Sequence, residues 1–425
     1  MDGEVSSIAS GNDLCWNNSS TKKYHCKIPR LTKFKRGQIE MEYRYTEQQL
    51  MLKKALNTLL KKEMAFETFV EIAEKENGFS KKKWMKLAEN GWLGILAHGE
   101  FQTLEEVDTL DLMYLAESIG ASLFPGPFSL TSGFVVPLMS QLPLTDNQKS
   151  VLEAIIGGEA VAAAVLPKLV KRDETYFQYP AVELKKVKQH YEISGSYEHL
   201  QFLQNADYII LPIEDNDQTF VALISTKQDN VIISAEESVD LSKPQGTLVL
   251  KNAVVTEEEL ITSEKLKDLI SESLRSYFIA INGEIIGGAD EVLNRTVHFV
   301  SERKQFGVPV GSFQAVKHMI ADIKVEIEKA RSYSIYIHSI AEDEEKVTLN
   351  LLCSRYFNTD MYKKICESSI QLHGGMGFTW EESIHFWYKA AMYQLYHLTH
   401  PALMEDYIHQ NLLNTVKNKE FHYHN

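Results

Sequence analysis

The sequence predicts an α+β multidomain protein in which an α-helical domain, an antiparallel β domain and a four-helix bundle follow one another. Two changes of periodicity support this order: the helical spacing of apolar residues gives way to short β-branched runs near residue 160, and it returns near residue 263. The chain has 425 residues, of which 44% are hydrophobic. This length exceeds what a single core can organise, so several domains are expected.

The N-terminal third is predicted to be a leader followed by a helical domain. Residues 1–39 are rich in Ser and Asn and lack a hydrophobic period, which is typical of a poorly ordered segment. Its lysines leave a targeting arm as an alternative. Residues 40–159 carry apolar residues at helical spacing, for instance over 50–60, and the run that begins at Leu110 ends at Gly120, a residue suited to a helix C-cap.

The middle of the chain, residues 160–262, is predicted to be a small antiparallel β domain. Its short β-branched and aromatic runs are separated by turn sequences such as those at 214–217 and 243–246.

The last third, residues 263–425, is predicted to be an antiparallel four-helix bundle. Turns that contain glycine and proline divide it into long helical segments joined by short connections, as in such bundles. The predicted helices span about 264–302, 312–342, 346–372 and 381–417.

Composition excludes several classes of function. The formal net charge of −14 argues against nucleic acid as a partner. No stretch approaches the roughly 18 apolar residues that a membrane span needs. The four cysteines have neither metal-ligand spacing nor the pattern of a disulfide framework, so we expect no metal site and a reducing, cytoplasmic location.

Two motifs at the ends of predicted bundle helices indicate chemistry. The run at 301–307 contains Arg303, whose planar, permanently charged guanidinium suits a pyrophosphate. The run at 371–378 contains Gly374 and Gly375, which let backbone N–H groups approach a phosphate closely. Each motif alone is also ordinary helix-end chemistry. Their presence in one bundle favours a flat, anionic cofactor.

The runs RKQFGVPVGSFQAVKH (303–318) and QLHGGMGFTWE (371–381) resemble the acyl-CoA dehydrogenase family, whose members show the same order of three domains. The resemblance implies an oxidoreductase that is a flavoprotein and an obligate oligomer, a homodimer or homotetramer, with FAD shared across a subunit boundary. By this resemblance, the residues that contact FAD are Arg303, Gln305 and Phe306 at the diphosphate and flavin, Phe313 and Gln314 at the adenosine, and Gln371, His373, Gly374 and Gly375 from a neighbouring subunit.

The family's reaction needs a base that removes the α-proton of an acyl thioester while a hydride leaves the β-carbon for flavin N5. The usual glutamate, at the start of the last bundle helix, is replaced here by His397. A second group of members, which includes sterol side-chain dehydrogenases, has a glutamate on the first bundle helix, and Glu284 within the apolar run 279–288 resembles it. Glu284 is therefore the predicted base and His397 the alternative. A buried carboxylate capped by Lys, Arg or Asn (for instance Asn282) and a hydrogen-bonded helix histidine are the corresponding non-catalytic interpretations.

The two flavin-holding runs of the family's β domain are altered here, in the regions 164–172 and 193–200. Three hypotheses follow. The first is an FAD-dependent dehydrogenase of acyl-CoA or of an acyl-carrier-protein thioester, which passes electrons to an electron-transferring flavoprotein or to oxygen. The second is a non-catalytic partner subunit of a heteromeric acyl-CoA dehydrogenase. The third is a flavin oxidase or monooxygenase on the same fold.

Overall fold

The computed structural model describes residues 46–75, 78–172, 175–216, 218–339, 344–379 and 383–422. The predicted leader, residues 1–39, lies outside this set. Within the described residues, no helix combines the length and the apolar character that crossing a membrane requires.

The N-terminal domain is helical, as predicted. Its α-helices are α1 (Glu47–Glu63), α2 (Phe66–Lys75), α3 (Lys81–Ala88), α4 (Thr109–Ala121), α5 (Phe128–Leu130), α6 (Val136–Met139) and α7 (Asp146–Ile156). A π-helical turn, Thr131–Val135, joins α5 to α6. Local sequence explains where the longer helices begin: α1, α4 and α7 each start with a capping box whose first residue is Thr46, Asp108 or Thr145.

The middle domain contains two four-stranded sheets and a separate hairpin. Its strands are β1 (Ala162–Ala164), β2 (Lys168–Arg172), β3 (Thr175–Gln178), β4 (Glu183–Val187), β5 (His190–Gln201), β6 (Tyr208–Asp215), β7 (Gln218–Ser225), β8 (Val231–Glu236), β9 (Gln245–Thr256) and β10 (Leu260–Ile261). One sheet has the order β4-β5-β9-β8, the other the order β1-β6-β7-β10, and β2 pairs with β3.

All the pairings in this domain are antiparallel, as predicted, except that of β1 with β6. The sequence did not indicate this parallel pair. It forms because the chain leaves β1 for β2 to β5 before it returns in β6, and a long excursion of this kind can bring a strand back in the same direction.

The C-terminal domain is a helical bundle with a small hairpin between its first two helices. The elements are α8 (Leu266–Glu302), β11 (Lys304–Gln305), β12 (Val308–Pro309), α9 (Gln314–Ser339), α10 (Glu344–His373), α11 (Ile384–Tyr396) and α12 (Pro401–His422). The single fourth helix predicted at 381–417 is wrong, because the chain breaks between α11 and α12. Leu398 has a φ of +69° there, and Pro401, which has no N–H to donate, begins the next helix.

Glycines bring α4 and α8 into direct backbone contact. A Cβ atom on Gly120 would lie 1.9 Å from the carbonyl oxygen of Glu284, and one on Gly287 would lie 1.8 Å from that of Glu117. Only glycine permits this approach. The glycines around Glu284 therefore make room for α4.

Candidate active site

A cavity of about 830 Å³ lies where the three domains meet. Strands β1 and β5, the segment between α11 and α12, Tyr277 of α8 and Leu130 of α5 all contribute to its wall. Its volume is in the range of about 300–1,000 Å³ that is typical of small-molecule and cofactor sites. Tyr179 and Tyr197 add aromatic surface, and burial raises the pKa of each phenol to about 12, so both are uncharged at neutral pH.

His397 is at the centre of a hydrogen-bonded cluster in this wall. Its Nε2 atom is 2.6 Å from the hydroxyl of Tyr277, and its Nδ1 atom is 3.0 Å from the hydroxyl of Tyr393. Gln201 of β5 donates from its side-chain nitrogen to the Tyr393 hydroxyl over 2.5 Å. All four residues line the cavity. Both ring nitrogens of the histidine therefore already have a tyrosine hydroxyl as partner.

The end of α11 places His397 in this position. His397 is the C-cap residue, and its backbone N–H donates to the carbonyl of Tyr393. Arg355 of α10, fully buried, donates from Nη2 to the carbonyls of Gln394 and His397, both over 2.8 Å. These carbonyls belong to the helix end that lacks partners within the helix, so the arginine satisfies them and fixes the break.

The cluster is electrically neutral under ordinary conditions. Burial, together with the positive charges of Arg355, Lys243 and Lys168, holds the pKa of His397 well below its usual range. Burial and the negative charge of Glu284 raise the pKa of Tyr277. Burial lowers the pKa of Arg355 to about 10, which leaves it a cation at neutral pH. The low pKa keeps the imidazole of His397 neutral, so one of its ring nitrogens is a hydrogen-bond acceptor.

Glu284, the predicted base, is buried outside the large cavity. Its side chain is 5% exposed, Lys243 Nζ lies 2.9 Å from its Oε2 atom, and the Ser129 hydroxyl donates to its Oε1 atom over 2.5 Å. A separate small cavity borders it. Asn282, which the sequence offered as a hydrogen-bond partner for the Glu284 carboxylate, instead donates to the Ser354 hydroxyl over 3.2 Å. The Glu284 carboxylate of the bundle thus binds one residue from each of the other two domains.

The first group of residues assigned to FAD lies at the other end of α8. Arg303 and Gln305 are exposed on the hairpin, and Gln314 is exposed at the start of α9. Phe306 is 94% exposed with a φ of +52°, and its ring lies 6.4 Å from the ring of Phe313, nearly perpendicular to it. An aromatic pair this exposed is unusual for a monomer surface.

The second group lies beside the first. Gln371, Gly374 and Gly375 are exposed at the end of α10, and Gly374 has a φ of +62°. His373 is buried, with its ring stacked 4.1 Å from that of Phe299, and burial lowers its pKa to about 4. Phe299 lies two residues before the Arg303 motif (301–307) on α8, so the structure brings both motifs to one end of the bundle.

This end is far from the cavity. At a rise of about 1.5 Å per residue, Tyr277 and Glu302 are about 37 Å apart along α8. One extended dinucleotide cannot touch the cavity and both motifs of the same chain.

Several residues of the candidate site were not identified from the sequence: Tyr277, Tyr393 and Gln201, which line the cavity, Arg355, which binds the end of α11, and Lys243, which binds Glu284 outside the cavity. The one available signal was Pro401, which marks a break just after His397. Among the residues that the structure describes, no cluster of His, Cys, Asp and Glu side chains could hold a metal ion.

Comparison with known proteins identifies the family. The model described as "Acyl-CoA dehydrogenase, N-terminal domain" matches residues 46–159, and the model described as "Acyl-CoA dehydrogenase, C-terminal domain" matches residues 269–396. Acyl-CoA dehydrogenase IpdE2 of Mycolicibacterium smegmatis is 23% identical over 346 residues, 81% of this chain and 93% of the relative. The caffeyl-CoA reductase–Etf complex subunit CarC of Acetobacterium woodii is 20% identical, with 81% of this chain and 93% of the relative covered.

A solved structure shows the same fold. The ChsE4–ChsE5 complex from Mycobacterium tuberculosis superposes with a TM-score of 0.75 at 19% identity, over 88% of this chain and 99% of the solved one. The two family models together match more than half of the sequence, in the order and at the positions of the two helical domains. This chain belongs to the acyl-CoA dehydrogenase family of flavoprotein oxidoreductases.

Proposed function

We propose that this protein desaturates an acyl thioester at its α and β carbons in the cavity of about 830 Å³. The supporting observation is the neutral His397–Tyr277 pair in the cavity wall of a chain that belongs to this family. FAD, when bound, supplies an acceptor for the hydride that leaves the β-carbon. The acyl carrier is coenzyme A or an acyl carrier protein.

The chain has residues that fit FAD, but at two separate places. Near the cavity, Tyr179 and Tyr197 provide flat uncharged surfaces for a ring system, and Lys168 provides a positive charge. Arg303, the predicted diphosphate partner, is exposed on the hairpin at the far end of α8. We therefore propose that a second copy brings its Arg303 end to the cavity of the first, in a homodimer or homotetramer. The exposed Phe306 supports an interface there.

Of the two candidate bases, the geometry favours His397. A base must reach the substrate proton, and His397 belongs to the cavity wall, whereas Glu284 does not. The Glu284 carboxylate also already binds Lys243 and Ser129. We propose that Glu284 stabilises the junction of the three domains and that the His397 cluster handles the proton.

The electron acceptor is proposed to be an electron-transferring flavoprotein or oxygen. The name of CarC connects that relative with an Etf complex, which supports the first choice. Oxygen consumption with a hydroxylated product would instead indicate a monooxygenase.

A non-catalytic role in a heteromeric enzyme is the second candidate. The supporting observation concerns the carboxylates of the cavity. Among the described residues that line it, Glu198 is the one carboxylate, and it is an exposed residue of β5 and not a buried base. The ChsE4–ChsE5 structure is a complex of two named chains, which supports a heteromer.

The decisive experiment records the visible spectrum of the purified full-length protein and then adds acyl-CoAs of several chain lengths without oxygen. We expect a flavin absorbance that bleaches on addition of one of them, and bleaching at least about 100-fold slower in His397→Asn. His409→Asn, at an exposed histidine of α12, is the matched control and should bleach like the unmodified protein. A colourless protein that does not bind added FAD would contradict the proposal. Activity that appears only after co-expression with a second chain of the family would support the heteromer.

A further inference from the structure

Both ring nitrogens of His397 are hydrogen-bonded. These bonds determine which group of the cluster can receive a proton from a substrate. Tyr277 and Tyr393 hold Nε2 and Nδ1 at 2.6 and 3.0 Å. A substrate proton could reach the imidazole directly only if one of these bonds broke. A tyrosine hydroxyl of the same wall needs no such rearrangement.

Gln201 indicates the direction of each hydrogen bond. Its amide nitrogen, which can only donate, lies 2.5 Å from the Tyr393 hydroxyl and 3.3 Å from His397 Nε2. Because Nε2 receives an N–H group, it must be the unprotonated nitrogen, and Nδ1 then carries the hydrogen that it donates to Tyr393. The Tyr277 hydroxyl consequently donates to Nε2. Gln201 also hydrogen-bonds the Tyr277 oxygen, which leaves one of the two lone pairs of that oxygen for another group.

The hydroxyl oxygens of Tyr277 and Tyr393 differ in whether a lone pair is still available to accept a hydrogen bond. The Tyr393 oxygen accepts from both Gln201 and His397 Nδ1, so its two lone pairs are used. The Tyr277 oxygen gives its hydrogen to Nε2 and accepts from Gln201, so one of its two lone pairs remains unused on the cavity wall. Of the two hydroxyls, Tyr277 is therefore the one that can take a proton.

We propose that Tyr277 is a catalytic residue that receives the α-proton of the thioester and passes its own proton to His397; this inference rests on the proposed function. The Cα–H bond breaks as a bond forms from that hydrogen to the Tyr277 oxygen, while the original O–H bond breaks and its proton binds Nε2. The electron pair of the Cα–H bond becomes the second bond between Cα and Cβ, and FAD, when bound, would supply the acceptor for the hydride that leaves the β-carbon. The products are the unsaturated thioester, an unchanged tyrosine and an imidazolium.

The surroundings favour a coupled transfer over a free phenolate. Burial and Glu284 raise the pKa of Tyr277, so a phenolate standing alone in this wall is costly. The neutral imidazole, 2.6 Å away, removes the need for one, because the hydroxyl loses a proton as it gains another.

The kinetic test compares Tyr277→Phe with Tyr362→Phe in the FAD-loaded protein. Tyr362 is equally buried, but it borders the small cavity, so its variant loses the same atom outside the proposed site. We expect Tyr277→Phe to slow flavin bleaching by about 100-fold or more with unchanged acyl-CoA binding, and Tyr362→Phe to change it by less than about threefold. If the unmodified protein does not bleach, the proposed function fails. If it bleaches and Tyr277→Phe bleaches equally fast, the role of Tyr277 is overturned.

A second test needs no flavin. In protein labelled with ¹⁵N at histidine, the signal that is lost in His397→Asn reports the tautomer of this ring. We expect a protonated Nδ1 and an unprotonated, hydrogen-bonded Nε2, and a shift of the Nε2 signal in Tyr277→Phe but not in Tyr362→Phe. A protonated Nε2 at neutral pH would overturn the proposed direction of transfer.

Discussion

The two ends of α8 differ in whether one chain supplies all the residues around them. At the cavity end, Tyr277 is 1% exposed and hydrogen-bonded to His397. At the other end, Phe306 is 94% exposed beside the exposed Arg303. The first end is built from contacts between three domains of one chain. The second has the side chains that are predicted to bind FAD on its surface, as expected for a site that a second copy completes.

This difference predicts how substitutions at the two ends behave. Changes near the cavity end alter buried groups, so they affect the free energy of unfolding or the proton transfer. Changes to the exposed side chains at the other end remove groups that the folded chain does not need for its own stability, so they are expected to affect FAD binding and assembly. Three measurements test this contrast.

The largest effect on stability is expected for Glu284→Gln. This substitution leaves Lys243, itself buried, without its carboxylate partner. Breaking a buried ion pair on one side typically costs about 3–5 kcal/mol. We expect a decrease of this size in the free energy of unfolding, measured by urea denaturation, and little change in the bleaching rate of the protein that remains folded.

Glu71→Gln provides the control for that experiment. Glu71 pairs with Lys75 on the surface of α2, where an ion pair contributes at most about 1 kcal/mol. A folded Glu284→Gln protein that binds FAD but no longer bleaches would assign the base to Glu284 and would contradict the role proposed for His397.

The next effect is expected at the exposed end, for Arg303→Gln. If Arg303 binds the diphosphate of FAD held by a second copy, its loss should lower FAD affinity about 10- to 100-fold, since a hydrogen bond to a charged group contributes roughly 1.5–3 kcal/mol. The free energy of unfolding of the FAD-free chain should change by less than about 0.5 kcal/mol, because the side chain is exposed. Titration of the FAD-free protein with FAD measures the affinity.

Lys304→Gln removes a positive charge from the residue next to Arg303, at the start of β11. We expect a change in FAD affinity below about threefold. An equal loss of FAD affinity in the two variants would mean that the hairpin attracts FAD only through its total positive charge. Arg303 would then not bind the diphosphate specifically.

The two ends also differ in how far the sequence predicts them. The exposed end consists of short contiguous motifs, so Arg303 and Gly374 could be singled out from the residues next to them in the sequence. The cavity end is assembled from residues distant in the chain, and the hydrogen bond between Tyr277 and His397 spans 120 positions. Periodicity predicts the helices that carry them but not which side chains meet.

The misassigned helix end illustrates the same limit. Helical spacing continues through 381–417, so the pattern predicts one helix, whereas the proline and the buried Arg355 favour a break. Glu284 was prominent in the sequence because a carboxylate in an apolar run is rare. The sequence could not show that its partner Lys243 comes from the β domain.

The smallest effect is expected from pH, through His373. Burial lowers the pKa of His373 from its ordinary value of 6.5 to about 4. Between these two values the unfolded chain binds a proton that the folded chain does not, so stability falls as the pH falls through this window. From pH 7 to pH 5 this residue should cost roughly 2 kcal/mol of the free energy of unfolding.

His373→Gln should therefore show a weaker loss of stability between pH 7 and pH 5 than the unmodified protein, whatever its absolute stability. His298→Gln, at an exposed histidine of α8, should keep the original pH dependence. If His373→Gln keeps it too, the buried ring stacked on Phe299 does not remain neutral in the folded chain. His373 would then carry a positive charge in the folded chain, next to the exposed glycines that are predicted to meet a phosphate.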